Sequence, residues 1–506
     1  MVAALVCVFL GAIDLTVVAS ILPHMISDLG VNAADIDRYI WAVNAYLIAY
    51  IVAIPLAGSA SDIIGRMPTF AGSLLIFLAG SIVCATGDTL TELVIGRAIQ
   101  GFGGGGLLPV AIALAGDTLG RSGQLAGIGF VSAVETIGWI VGPIYGAVVT
   151  EVLGDFSEPW RWVFWINVPI LALLLLAVRG LSSRTPGDFR NAASGLDLPG
   201  IVLLSLALTT LNLALASGGE LGVGTGSGLR ALGGTRNPLA DQVPLLLALA
   251  ALSIGALVWW EVRAANPLLP IRLYRLRPFM ATVIANLCLG AVLMVVMVNV
   301  PVVVALGTER DRVSTSSALL LAPFTIAIAA VSVLAGPIAR RFDEGRAMLS
   351  GVILLAGGAC LVAPFAGDGS QAGMVPGLVV MGIGAGLLLP PLGTLPIQIA
   401  AETERGAAAA SALMFRLLGM TVGISLLTAT GVWRLQVLTG RLDSVVQAEG
   451  ESTAMFLVRQ QQFIIEHAIP LSLQVIQETF LAAAMISVIS VIPVRLLIRF
   501  LGNQDS

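Results

Sequence analysis

The chain has 506 residues, 57% hydrophobic and 11% charged, with a mean hydropathy of +0.96. That composition excludes a soluble multidomain protein and describes an all-α polytopic membrane protein. The net charge of −4 is dispersed, which excludes a nucleic-acid binder, and the 26 basic residues are all Arg. Cys7, Cys84, Cys288 and Cys360 sit singly in apolar stretches, without metal-ligand spacing, and are expected to be small helix-packing residues.

Apolar runs bounded by polar or Gly/Pro punctuation give fourteen predicted spans. They lie at about 2–27, 39–60, 69–88, 91–116, 123–150, 161–178, 198–217, 243–262, 278–306, 315–338, 347–366, 374–401, 406–440 and 462–499. No basic segment precedes the first, so a cleaved signal peptide is not expected. Arg66, Arg121, Arg179, Arg184, Arg190, Arg263, Arg272, Arg275, Arg277, Arg340, Arg341, Arg346, Arg405, Arg495 and Arg499 all fall on one side. The positive-inside rule makes that side, with both termini, cytoplasmic.

The first span carries Asp14, and the turn after the second reads Gly58-Ser-Ala-Ser-Asp62-Ile-Ile-Gly65-Arg66. Glycine permits a tight turn there, and Asp62 is placed to cap a neighbouring helix N-terminus as a conformational latch. Asp117 and Arg121, between the fourth and fifth spans, are candidates for the same network. Arg97, in the fourth span, is placed to bond helix carbonyls or Asp14. The glycine run Gly101–Gly106 is not a nucleotide loop, because it lies inside a span and lacks the following Lys-Ser/Thr.

In the fifth span Glu135, Gly138, Gly142 and Gly146 share one helix face. Glycines on a stripe let another helix approach closely, and Pro143 bends the span. A carboxylate on that stripe faces protein or a water-filled cavity, since facing lipid costs several kcal/mol. The chain then repeats itself. Gly101…Pro109 recurs as Gly382…Pro390, and Glu135-x-x-Gly138-x-x-x-Gly142 as Arg416-x-x-Gly419-x-x-x-Gly423, both at an offset of 281 (382 − 101; 416 − 135).

Two parallel six-helix halves follow, with helices 198–217 and 243–262 as an inserted pair joined by a Gly-rich loop. The divisions expected are 1–190, 191–265 and 266–506. Asp14, Glu135 and Arg416 each lie roughly 15–20 Å from a helix end, near the bilayer midplane. The repeat places Glu135 and Arg416 facing each other, either as a switch between proton-holding and Arg-paired states or as a static salt bridge. The last two spans, about 35 residues each, exceed the roughly 30 Å of hydrocarbon, so they either project outward or tilt. Pro470 and Pro493 are candidate breaks in the second.

Gly138-x-x-x-Gly142-Pro143-x-x-Gly146 resembles the antiporter motif in the fifth helix of major facilitator superfamily exporters. The Gly58–Arg66 turn resembles the superfamily's signature between helices two and three, with Ile63 and Met67 where basic residues are usual. Gly96-Arg97 is similar to its fourth-helix basic motif. Leu10-Gly-Ala-Ile-Asp14-Leu-Thr16 is similar to the fourteen-span drug:proton antiporters. Asp14, Glu135 and Arg416 together resemble the mycobacterial triacylglyceride-exporting family that works with a periplasmic lipoprotein.

The resemblance implies a major facilitator fold and a proton-coupled exporter in a bacterial inner membrane. It also implies a lipid or amphipathic drug as substrate, a lipoprotein acceptor for lipid, and a monomer driven by the proton gradient with no cofactor. A membrane transferase is the competing class, but the loops offer no nucleophile, metal set or acid pair near a membrane face.

Overall fold

The computed structural model describes residues 2–29, 36–154, 156–181, 197–217, 240–264, 267–269, 271–308, 313–401, 404–439, 452, 455–456, 458–459, 462, 466–467 and 469–502. These residues form helices and no strand. In chain order they are α1 (Val2–Asp28), α2 (Ile36–Ile63), α3 (Arg66–Thr86), α4 (Leu90–Val152), α5 (Arg161–Leu181), α6 (Leu198–Ser217), α7 (Val243–Glu261) and a short α8 (Ile271–Tyr274). There follow α9 (Arg277–Gly307), α10 (Val313–Phe342), α11 (Glu344–Gly367), α12 (Gln371–Ile399), α13 (Arg405–Thr439), α14 (Ile469–Ile489) and α15 (Val491–Gly502).

Among the described residues seven helices are long and apolar enough to cross a bilayer, or eight if a bent pair within α4 is one span. Shorter apolar stretches lie in α1, α2, α6, α10 and α13. Leu252 and Leu319, about 70% exposed, belong to an outer surface suited to lipid rather than water.

Local chemistry sets the helix ends. Gly65 adopts φ +97°, which turns the chain between α2 and α3 in two residues. Thr89 and Glu92 close a capping box at the start of α4. Asp343, at φ +68°, accepts from the Arg346 amide and starts α11.

Sequence reading gives two spans, 91–116 and 123–150, where the backbone is one helical run. Arg97 and Gly142 nevertheless both rest on residues 13–17 of α1. A straight helix would hold them about 68 Å apart, so α4 folds back on itself although it is assigned as one helix from Leu90 to Val152. Its second arm bends by 45° between Ala133–Trp139 and Ile144–Val152. Pro143 lies in that interval and has no N–H for the preceding turn.

The repeat reappears as packing. Gly101 and Gly105 press on the carbonyls of Tyr46 and Tyr50, while Gly382 and Gly386 press on those of Phe324 and Ile328. Gly103 meets Phe77 as Gly384 meets Leu355, and Gly138 meets Phe9 as Gly419 meets Leu287. One set of partners is offset by 281 (382 − 101) and the other by 278 (324 − 46). A side chain at any of these glycines would overlap backbone, so both halves need glycine at matching positions. The seam between halves is closed by α2 on α13 and by α4 on α10, α12 and α13. The paired helices α6 and α7 pack on each other, and α6 also touches α2 and α13.

At the C-terminal end α13 runs for 35 residues, about 52 Å. The predicted last span, 462–499, divides at Ser490 into α14 and α15. Pro493 cannot donate to Ile489, which frees that carbonyl at the break, whereas Pro470 sits in the first turn of α14 where its missing N–H costs nothing. Most of the expected projection, 436–466, lies outside the described residues.

Candidate functional site: a charged seam and a buried polar cluster

Among the described residues the seam between halves holds one buried ion pair. Arg416 Nη2 lies 3.0 Å from Glu135 Oε2 and 3.4 Å from Oε1, and both side chains are about 5% exposed. Their helices place them there. Gly138 and Gly142, one and two turns beyond Glu135, seat α4 against Phe9, Ala12, Ile13 and Thr16 of α1. Gly290 of α9 receives the Arg416 carbonyl, and Gly419 and Gly423 continue that contact. Each charge therefore lies on a helix packed closely through glycine, and the bond crosses 281 residues of sequence. Arg416 Nε has no partner, so the guanidinium keeps a spare donor beside the carboxylate. Tyr50 stands within electrostatic reach of both groups.

A second polar site is built wholly inside the first half. Asp14 is fully buried; its Oδ2 accepts from Gln100 Nε2 at 2.5 Å, and both oxygens accept from Asn167 Nδ2 at 2.9 Å. Arg97 does not pair with that carboxylate. It donates to the carbonyls of Asp14 at 3.0 Å and Ala42 at 3.2 Å, to Gln100 Oε1 at 2.7 Å, and lies 4.1 Å over the Tyr46 ring. Of the two roles open to Arg97 in the sequence, the main-chain one is seen. Ser81 donates to Phe77 and accepts from Gln100, and the Tyr46 hydroxyl donates to Gly11. Five helices therefore converge on one carboxylate held by neutral amide donors, with a guanidinium close by but bonded elsewhere.

These features sit in a chain whose residues 4–424 match the family described as Major Facilitator Superfamily. The chain belongs to this superfamily. It is 32% identical over 439 residues to a triacylglyceride transporter of Mycolicibacterium hassiacum, covering 84% of this chain and 78% of that one. It is 31% identical over 448 residues to a triacylglyceride transporter of Mycobacterium tuberculosis, covering 86% and 82%. In fold it is similar to a solved superfamily proton:xylose symporter, at a TM-score of 0.59 and 14% identity over 96% of this chain and 93% of that one. A solved human organic anion transporter gives 0.54 and 15% identity over 96% and 99%.

In this major facilitator chain the Gly58–Arg66 turn is described in part. Gly58 accepts from Ser61 at 2.8 Å, and Ser61 accepts from Arg66 Nη1 at 2.6 Å. The side chains of Asp62, Asp117, Arg121 and Pro143 lie outside the described part. Gly146, buried in α4, accepts from Thr150. Sequence reading missed Gln100, Asn167 and Tyr46 as partners of Asp14 and Arg97. Gln100 carries a signal in hindsight, being one helical turn after Arg97 on the same face. Asn167 stands out only as the amide within the apolar run of α5. Among the described residues no cluster of ligating side chains would hold a metal.

Proposed function

We propose that this superfamily member is a proton-coupled exporter that moves a triacylglyceride-like lipid out of a bacterial inner membrane by alternating access. The observation that carries the coupling is the buried Glu135–Arg416 pair, the ionic bond across the seam that must open when the halves separate. Protonating Glu135 removes the charge that holds Arg416, so proton uptake and seam opening become one event. Asp14, ringed by Gln100 and Asn167, is the second proton carrier in this reading, and Arg97 fixes the helices around it.

Support for lipid as substrate comes from the named triacylglyceride transporters at about 30% identity over most of the chain. The long α13 supports it as well, because an acyl chain leaving the membrane needs cover, each exposed CH₂ costing about 0.8 kcal/mol. The proposed architecture is fourteen spans, two halves of six and α6–α7 between them. Both termini are cytoplasmic, the chain works as a monomer, and a periplasmic lipoprotein receives the lipid. The Gly58–Arg66 turn with Asp62, Asp117 and Arg121 is the cytoplasmic latch.

A multidrug:proton antiporter for amphipathic drugs is the second reading, favoured by the first-helix motif around Asp14. Reconstitution separates them. The protein in vesicles loaded with labelled triacylglyceride, or with an efflux dye, is given an imposed pH gradient. Gradient-dependent movement of the lipid supports the first reading, and movement of dye alone replaces it with the second.

A further inference from the structure

Where α6 begins and α7 ends, two acids meet away from the charged seam. Asp197 is 8% exposed and Glu261 is 2% exposed. Asp197 Oδ1 accepts from Trp260 Nε1 at 2.6 Å and from the Gly200 amide at 3.0 Å. Glu261 Oε2 accepts from the Leu269 amide at 3.1 Å. The remaining oxygens, Asp197 Oδ2 and Glu261 Oε1, are buried with no hydrogen-bond donor. Both lie within 2.8 Å of the point where Gly200 would carry a side chain, so the two oxygens are at most about 5 Å apart.

Two buried acceptors this close together that lack a donor repel when both are ionised. No described cation is bonded to either. The groups around them are the Trp260 indole, the amides of Gly200 and Leu269, the Leu268 amide beside Glu261, and the Tyr274 hydroxyl, which feels the Glu261 charge. A bound metal ion would need several more oxygens than two. A single proton needs nothing further, because it turns two orphan acceptors into one donor and one acceptor.

We propose that Asp197 and Glu261 share one proton, and that this carboxylic acid–carboxylate bond docks the α6–α7 pair onto the connector leading to α9. Glu261 holds Leu269, and the neighbouring Leu268 carbonyl accepts from Ser59 of α2 at 3.2 Å, next to the Gly58–Arg66 turn. One proton thus ties α6, α7, the connector and α2. Loss of it leaves two adjacent buried anions, expels Glu261 and frees the connector. This site is independent of what the protein transports and of the Glu135–Arg416 pair.

Infrared difference spectroscopy of the full-length protein in lipid nanodiscs tests it. The wild type should show a protonated-carboxyl C=O band that is lost in both Asp197→Asn and Glu261→Gln, with the double variant losing no more than either single. Retention of the full band in both single variants overturns the proposal. So does a wild type in which no such band depends on this pair and whose thermal stability depends on sodium, an outcome that assigns a cation instead. A measurement needing no variant follows the wild-type amides of Leu268 and Leu269 by hydrogen exchange. Their opening should increase, beyond the intrinsic pH dependence of exchange, through the same pH interval in which the band disappears. Opening that stays constant while the band disappears overturns the docking role.

Discussion

Neutralising one member of the Glu135–Arg416 pair leaves the other charged, buried and unpaired. With both side chains about 5% exposed and 3.0 Å apart, solvent offers little relief to the survivor. Glu135→Gln and Arg416→Gln should each destabilise the protein by about 3–5 kcal/mol. The double Gln variant places two amides that hydrogen-bond to one another, and should cost about 1–3 kcal/mol. The double loss therefore falls well below the sum of the singles, with a coupling energy of at least about 3 kcal/mol. Reversing the charges, Glu135→Arg with Arg416→Glu, should recover part of the loss. Reversible unfolding in mixed micelles with a denaturing detergent gives all five stabilities. Strictly additive losses would refute the reasoning, because they would mean the two groups do not feel each other in the folded protein.

Glycine packing makes a steric prediction: Gly419→Leu drives a side chain into the Leu287 carbonyl and should cost several kcal/mol, while Gly357→Leu, with open space around it, should leave the melting temperature within a degree or two. Asn167→Leu removes a donor to both oxygens of buried Asp14 and should destabilise by about 1–3 kcal/mol in the same unfolding assay. At the start of α4 the amides of Asp88 and Thr89 hold the Glu92 carboxyl below its ordinary range. A depressed folded value gives stability that is full above the unfolded carboxyl value of about 4.3 and is lost as pH falls through the folded value. Wild type should accordingly lose the difference from Glu92→Gln in melts taken across that acid interval. Shortening residues 436–466 with the spans intact should abolish lipid extraction and spare dye efflux, read in the two vesicle assays.

The membrane class and most helix positions were legible because apolar runs of span length have few other fates. The internal repeat was legible through its glycines, since close helix contact forces the same small residue at the same place in both halves. Facing placement of Glu135 and Arg416 followed from that repeat. What stayed hidden was chemistry with no spacing signal. Asn167 reaches Asp14 across 153 residues through the packing of α5. Arg97 looks like an acid's partner by charge, yet its fork is filled by carbonyls of α1 and α2. The unbroken backbone of α4 was hidden for another reason. Residues 117–122, whose polar residue types read as a loop, lie within the continuous helix Leu90–Val152.

Coupling of proton entry at Glu135 to substrate movement is the centre of this account. Wild-type protein and Glu135→Gln, purified and reconstituted at equal density, are compared for efflux of labelled triacylglyceride with the pH gradient imposed and collapsed. The account predicts gradient-driven efflux by the wild type and, for folded Glu135→Gln, a rate no higher with the gradient than without it. Glu135→Gln that exports lipid at the wild-type rate under the gradient would contradict it.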